Sequence, residues 1–137
     1  MAQKEITISV PDSIYTRLQH AARATQQSFS DMVLRSLQVG IPPTWDDAPV
    51  QFQASLAALD RLDDDSLWKI AASRVTEEEM SRYEELLELN SNGVISSEEK
   101  LELENLRTEA DLFMLRKAHA AALLRWRGHI LPPPDKL

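Results

Sequence analysis

The alternation of apolar and polar residues near the start of the chain is typical of a β-strand. Ile6, Ile8 and Val10 are separated by Thr7 and Ser9, and this period of two predicts a strand with one buried face. No other segment has this pattern. A single strand leaves its backbone N–H and C=O groups unpaired, so we expect it to pair with the same strand of a second copy. The pattern therefore predicts a homodimer through the N-terminal strand.

Two short helices are predicted to follow. Asp12 is placed to cap the first, and Ser28 or Ser30 to cap the second, which ends at Gly40. Their apolar residues recur at intervals of three and four: Ile14, Leu18, Ala21 and Ala22, then Phe29, Met32, Val33 and Leu37. Neither helix is long enough to bury a core alone, so we expect four helices from two chains to form one compact unit.

The rest of the chain is predicted to be a linker and helices. Residues 41–53 contain three prolines and no apolar period, which indicates a linker. Helical patterns follow near residues 53–62, 65–74 and 77–89, and a long helix is expected from Ser96 or Ser97 to about Arg127.

The predicted fold is mainly α. A ribbon of one short strand per chain and two helices forms the N-terminal dimer module, residues 1–40, and the linker 41–53 follows. Residues 54–137 form an all-α helical hairpin region that is acidic and expected to bind a partner.

Charge is divided unevenly along the chain. The formal net charge is −7, yet residues 1–40 carry four bases against three acids. Residues 77–111 hold twelve acids against three bases, whereas residues 112–131 hold four bases and no acid. Such polarity indicates a surface that meets another macromolecule, although a solvated acidic face is the commoner explanation.

The segments ITISVP, PDSIYTRL and SFSDMVLRSL resemble the MetJ/Arc/CopG ribbon-helix-helix family over residues 4–39. The resemblance implies a dimer that reads operator DNA with outward strand residues in the major groove, and that holds a phosphate at the start of the second helix. The implied DNA-binding residues are Lys4, Glu5, Thr7, Ser9, Arg23, Ser28, Phe29 and Ser30. Family members usually place at least one Arg, Lys, Asn or Gln on the outward strand face. In this sequence that face carries Glu5, Thr7 and Ser9 instead.

Ribbon-helix-helix proteins with an acidic extension commonly act as antitoxins, so the resemblance also implies a toxin partner, such as a nuclease. An acidic surface with aromatic anchors would complement a basic protein of that kind. The candidate partner-binding residues are Trp45, Phe52, Leu56, Leu59, Trp68 and Trp126. Packing within the helical region is the alternative role for Trp68 and Trp126.

Candidate catalytic and metal-binding chemistry is sparse. The chain has no cysteine, and His20, His119 and His129 are far apart without a recognisable acid-base partner. A loop at residues 88–99 resembles a calcium-binding EF-hand loop, but a helix hairpin with an Asn-Gly turn is the competing interpretation. Aspartates at 60 and 63–65 are interpreted as helix caps in preference to metal ligands. We expect no cofactor, no metal and no enzymatic activity.

The leading hypothesis is an antitoxin-type transcriptional regulator that binds operator DNA as a dimer and neutralises a toxin through its C-terminal helices. A plain repressor whose C-terminal helices serve oligomerisation or sensing is the alternative, as is a scaffold that does not bind DNA. The sequence shows neither a signal peptide nor a membrane-spanning apolar run, so we expect a cytoplasmic protein without membrane contact.

Overall fold

In a computed structural model that describes residues 2–137, the chain is all-helical, and this part of the chain contains no β-strand. The α-helices are α1 (Asp12–Ala24), α2 (Phe29–Gly40), α3 (Val50–Ala57), α4 (Asp64–Ala71), α5 (Glu77–Ser91) and α6 (Ser97–Trp126). Short 3₁₀ helices span Ala58–Arg61 and Pro134–Lys136. The chain divides into a first unit that ends at Ile41 and a second unit, Pro42–Leu137.

The prediction of an N-terminal strand is wrong for this structure, and with it the ribbon-helix-helix fold class. Residues 2–11 have no regular secondary structure, and Ile6 and Ile8 are 73% and 64% exposed. A strand needs a neighbouring strand to satisfy its backbone groups, and the other apolar repeats of this chain follow helical periods. Alternation of side chains is therefore not sufficient to make residues 5–10 a strand.

Helix boundaries follow local capping chemistry. Pro11, and not Asp12, is the N-cap residue of α1, and Asp12 lies in the first turn. The hydroxyl of Ser28 caps α2 by accepting from the Asp31 N–H at 3.1 Å. Ser96 caps α6 in a full capping box with Glu99. Capping therefore sets the start of the long helix within one residue of the predicted position.

The first unit buries little. Among its described residues only Ala22 on α1 and Met32 on α2 are buried. The two helices contact each other, and the turn between them is closed by Gln26 in the left-handed region at φ +54°. Two small helices joined in this way expose most of their apolar side chains.

The second unit has a core of its own, centred on the C-terminal half of α6. Its buried cluster comprises Leu59, Leu67, Ala71, Ala120, Ala121, Leu123 and Leu124. Helix α4 supplies Leu67 and Ala71, and α3 also packs against α6. Helix α3 begins at Val50, inside the segment predicted as a linker, because Pro49 precedes it with the restricted φ of proline, here −53°.

Helices α5 and α6 form the predicted hairpin. The short connection turns at Gly93, whose φ of +70° favours glycine. Across the hairpin, the Arg82 guanidinium donates to both carboxylate oxygens of Glu102 at 2.9 and 2.7 Å. This bidentate pair holds the pKa of Glu102 below its usual range. The N-terminal half of α6 thus pairs with α5, and the C-terminal half with the core.

Candidate partner-binding surfaces

The residues implied in DNA binding lie in two places. Lys4, Glu5, Thr7 and Ser9 are exposed in the N-terminal segment that forms no strand, so no ribbon holds their side chains on one face. The remaining candidates lie on α1 and at the start of α2.

The structure brings Arg23, Ser28, Phe29 and Ser30 together around the turn between α1 and α2. Arg23 is in the last turn of α1, and Ser28 to Ser30 begin α2. The Phe29 ring lies 5.0 Å from that of Tyr15, centroid to centroid, so part of its role is packing between the two helices. Arg23 and Phe29 also line a shallow depression of about 310 Å³. This turn is the candidate anion contact that does not depend on a strand.

A stripe of exposed apolar residues follows α2. Leu34, Leu37 and Ile41, called here the α2 stripe, are 58%, 42% and 63% exposed. Their spacing of three and four places them on one side of the helix over about 10 Å. On α1, Ile14 is 46% exposed. These exposed apolar residues, at helical spacing, form a candidate surface for association.

Three of the six predicted partner-binding residues are core residues in the structure. Phe52, Leu56 and Leu59 are 6%, 2% and 1% exposed. Leu59 belongs to the main cluster at α6. The leucine spacing over residues 53–62 therefore reflects packing inside the second unit. In the single chain these side chains are not accessible to a partner.

The three tryptophans differ in exposure. Trp45 is half-buried, and its indole N–H donates to Asp60 Oδ2 at 2.9 Å. Trp68 packs beside the core, with its ring edge-on to His129. Trp126, at the end of α6, is 47% exposed. Trp126 is therefore the most accessible of the three tryptophan side chains.

Two histidine–carboxylate pairs lie where no acid-base partner was expected. The buried His119 ring contacts Asp60 through Nε2 and Oδ1 at 2.7 Å. Because a carboxylate only accepts, Nε2 carries the proton. Since the other Asp60 oxygen accepts from Trp45, this carboxylate joins the loop before α3, the 3₁₀ turn and α6. No short sequence motif predicts this pair, because His119 and Asp60 are 59 positions apart.

Asp64 forms the second cluster. Its two oxygens accept from Arg127 Nη1 at 2.8 Å and contact His129 Nε2 at 2.7 Å. These hydrogen bonds hold the pKa of Asp64 below its usual value, Arg127 having the larger effect. The start of α4 is thereby tied to the end of α6. Both clusters have a packing role in the second unit.

Asp63 and the loop at residues 88–99 supply helix caps. In the part of the chain that is described, no group of three or more His, Cys, Asp or Glu side chains is arranged to hold a metal ion. Asp63 caps α4 by accepting from the Ser66 N–H at 2.8 Å, as the capping interpretation predicts. In the loop that resembles an EF-hand, Asn92 is the C-cap of α5 and Ser96 the N-cap of α6.

A groove of about 340 Å³ lies between the N-terminal part of α5 and the middle of α6. Val75, Met80, Tyr83, Leu106, Ala110 and Phe113 form most of its lining, and Glu79 and Glu109 complete it. We call this feature the α5–α6 groove. Met80, Tyr83, Leu106, Ala110 and Phe113 belong to the apolar helical periods of the sequence, but those periods do not by themselves predict a groove.

No protein-family model, no curated protein and no solved structure matches the chain. Within residues 2–137, no helix is both long enough and apolar enough to cross a membrane.

Proposed function

We propose that this chain is an antitoxin-type regulator of the cytoplasm, without enzymatic activity. Its first unit associates with a second copy and contacts operator DNA, and its second unit binds and restrains a basic protein partner such as a nuclease toxin. The observation that carries the proposal is the contrast between the units: the first lacks a core of its own, whereas the second has one and adds an acidic helical hairpin.

Self-association is supported by the burial in the first unit. With Ala22 and Met32 as the buried residues of its described part, 2–41, a unit of about forty residues lacks the apolar burial that offsets chain entropy. A second copy that covers the α2 stripe would supply this burial symmetrically. The association proposed is between helices.

Restraint of a basic partner is supported by charge. Residues 77–111, which include α5 and half of α6, hold twelve acids against three bases, and Glu77, Glu78 and Glu79 are all exposed. A protein that binds RNA or DNA presents a basic surface. This complementary charge increases the rate of association with an acidic surface and favours such a partner over others.

Two experiments test the proposal. A flanking reading frame that encodes a basic protein should inhibit growth when expressed alone, and the full chain should relieve this inhibition. If no neighbouring product is toxic, or if the full chain gives no relief, the antitoxin function is rejected. A mobility shift on the DNA upstream of the gene tests DNA binding, with an Arg23→Ala variant to probe the turn between α1 and α2.

A scaffold that does not bind DNA is the second candidate. It is favoured by the finding that Glu5, Thr7 and Ser9 belong to no strand and offer no basic side chain. It predicts no mobility shift even at low salt, where phosphate contacts are strongest.

A further inference from the structure

The α5–α6 groove combines an apolar floor with acidic edges. The floor side chains of α6 are Leu106, Ala110 and Phe113, spaced by four and three residues, so they follow one helix face over about 10 Å. Met80 and Tyr83 face them from α5. The groove is thus elongated along the two helices, as is a site for a third helix.

The small Ala110 side chain lies between larger ones. Its neighbours in the lining, Leu106 and Phe113, are half-buried, and Met80 across the groove is 53% exposed. A small residue flanked by larger apolar ones leaves room for an inserted side chain, as in knobs-into-holes packing. The volume of about 340 Å³ is sufficient for a few apolar side chains from one helix turn.

Charge indicates which helix fits. Glu79 and Glu109 line the groove and are exposed, and Glu77 and Glu78 add charge at the start of α5. A cation lies beside the floor: the Lys117 ammonium is 5.8 Å from the centre of the Phe113 ring. The surroundings are therefore acidic along most of the groove and basic near Phe113.

We propose that the α5–α6 groove is the docking site for an amphipathic, basic helix of the protein partner. Apolar side chains of that helix occupy the space over Ala110, and its Lys or Arg residues lie opposite Glu79 and Glu109. This inference rests on the proposed binding of a protein partner by the second unit. It does not depend on self-association or DNA binding by the first unit.

Synthetic peptides of about 18 residues provide the probe, because one amphipathic helix is the whole of the proposed ligand. Each carries Leu at helical spacing on one face, with Lys beside it; a matched set carries Glu in place of Lys. Three registers of the Leu stripe are titrated into the full chain by fluorescence anisotropy. At least one Lys peptide should bind with a Kd below about 100 µM, and the Glu peptides at least about tenfold more weakly.

Paired variants locate the binding. Glu79→Gln with Glu109→Gln should weaken the Lys peptide about fivefold to tenfold, because two exposed charge pairs are lost. Glu88→Gln with Glu104→Gln is the matched control, since these exposed residues lie on the far faces of the same two helices. This control should bind the peptide as the wild type does. If both pairs weaken binding equally, the peptide responds to net charge and the groove assignment is overturned.

Filling the groove tests its apolar floor. Ala110→Leu places a larger side chain over the floor while keeping a good helix former, so peptide affinity should fall at least about tenfold with no loss of helicity by circular dichroism. Unchanged affinity in this variant, or no Lys peptide binding below about 100 µM, overturns the inference. Relief of toxicity is measured on the same variants: relief that survives Ala110→Leu rejects the groove but leaves the proposed function standing.

Discussion

Shortening Leu34 tests whether the first unit associates through the α2 stripe. Full burial of a Leu side chain stabilises by about 1.5–3 kcal/mol. Covering the exposed 58% of Leu34 therefore stabilises the dimer by about 1–2 kcal/mol per copy. The Leu34→Ala substitution removes about 1 kcal/mol of this per copy. The residue occurs twice in a symmetric dimer, so the variant loses about 2 kcal/mol, and the dimer Kd rises about 30-fold.

Sedimentation equilibrium over a wide range of protein concentrations measures this Kd. Alanine keeps the helix propensity of α2, so at protein concentrations where both chains are dimeric, circular dichroism should show the same helicity for the variant and the wild type. Val50→Ala is the matched control: it is also an aliphatic side chain on the surface, 82% exposed, but it begins α3 in the second unit. A wild-type chain that stays monomeric at about 100 µM, or an equal effect of the control, would refute the reasoning.

Three further predictions concern the second unit. Leu124 is fully buried in the main cluster, so Leu124→Ala should lower the free energy of unfolding by about 2–5 kcal/mol in urea titration; a loss under about 1 kcal/mol would contradict the assigned core. Ser96→Ala should cost about 1 kcal/mol in the same assay, because it removes the capping box of α6. The lowered pKa of Asp64 stabilises the fold above the usual value of 3.8, and this contribution is lost as pH falls through the lowered pKa. Asp64→Asn should therefore show a smaller drop in Tm than the wild type between about pH 5 and pH 3; an equal drop would assign the acid sensitivity to other groups.

The helices could be predicted because their signals are local. Ser28, Ser96 and Gly93 act through their own backbone neighbours, so capping and turn chemistry can be recognised from a few adjacent residues. The start of α3 was not predicted, because the three prolines of residues 41–53 indicate a linker, whereas in the structure Pro49 is the N-cap residue of α3.

The strand prediction failed because a strand is not a local structure. Ile6, Ile8 and Val10 have the required alternation, but pairing depends on a second extended segment that the described part of this chain does not provide. The prediction that Leu56 and Leu59 face a protein partner failed for a related reason. Both residues follow a helical period, and that period is the same whether the helix packs against a partner or against α6. Only the fold shows that they are buried within the chain.

The candidate sites depend on contacts distant in sequence. Asp60 contacts His119, and Asp64 accepts a hydrogen bond from Arg127, over separations of 59 and 63 residues. No short sequence motif can predict contacts of this kind. The same holds for the α5–α6 groove, whose lining comes from two helices that pack against each other. Its acidic residues and its apolar helical periods are visible in the sequence, but the contact between the two helices is not.

The continuity of α6 has a consequence for degradation. One uninterrupted helix of 30 residues contributes to both the hairpin and the core, so local opening of α6 would disturb two sets of contacts at once and should be rare. Proteases require an opened backbone, and the first unit, with two buried residues among those described, opens at lower cost. Turnover of a single chain should therefore begin with cleavage in its N-terminal forty residues and leave a resistant C-terminal fragment.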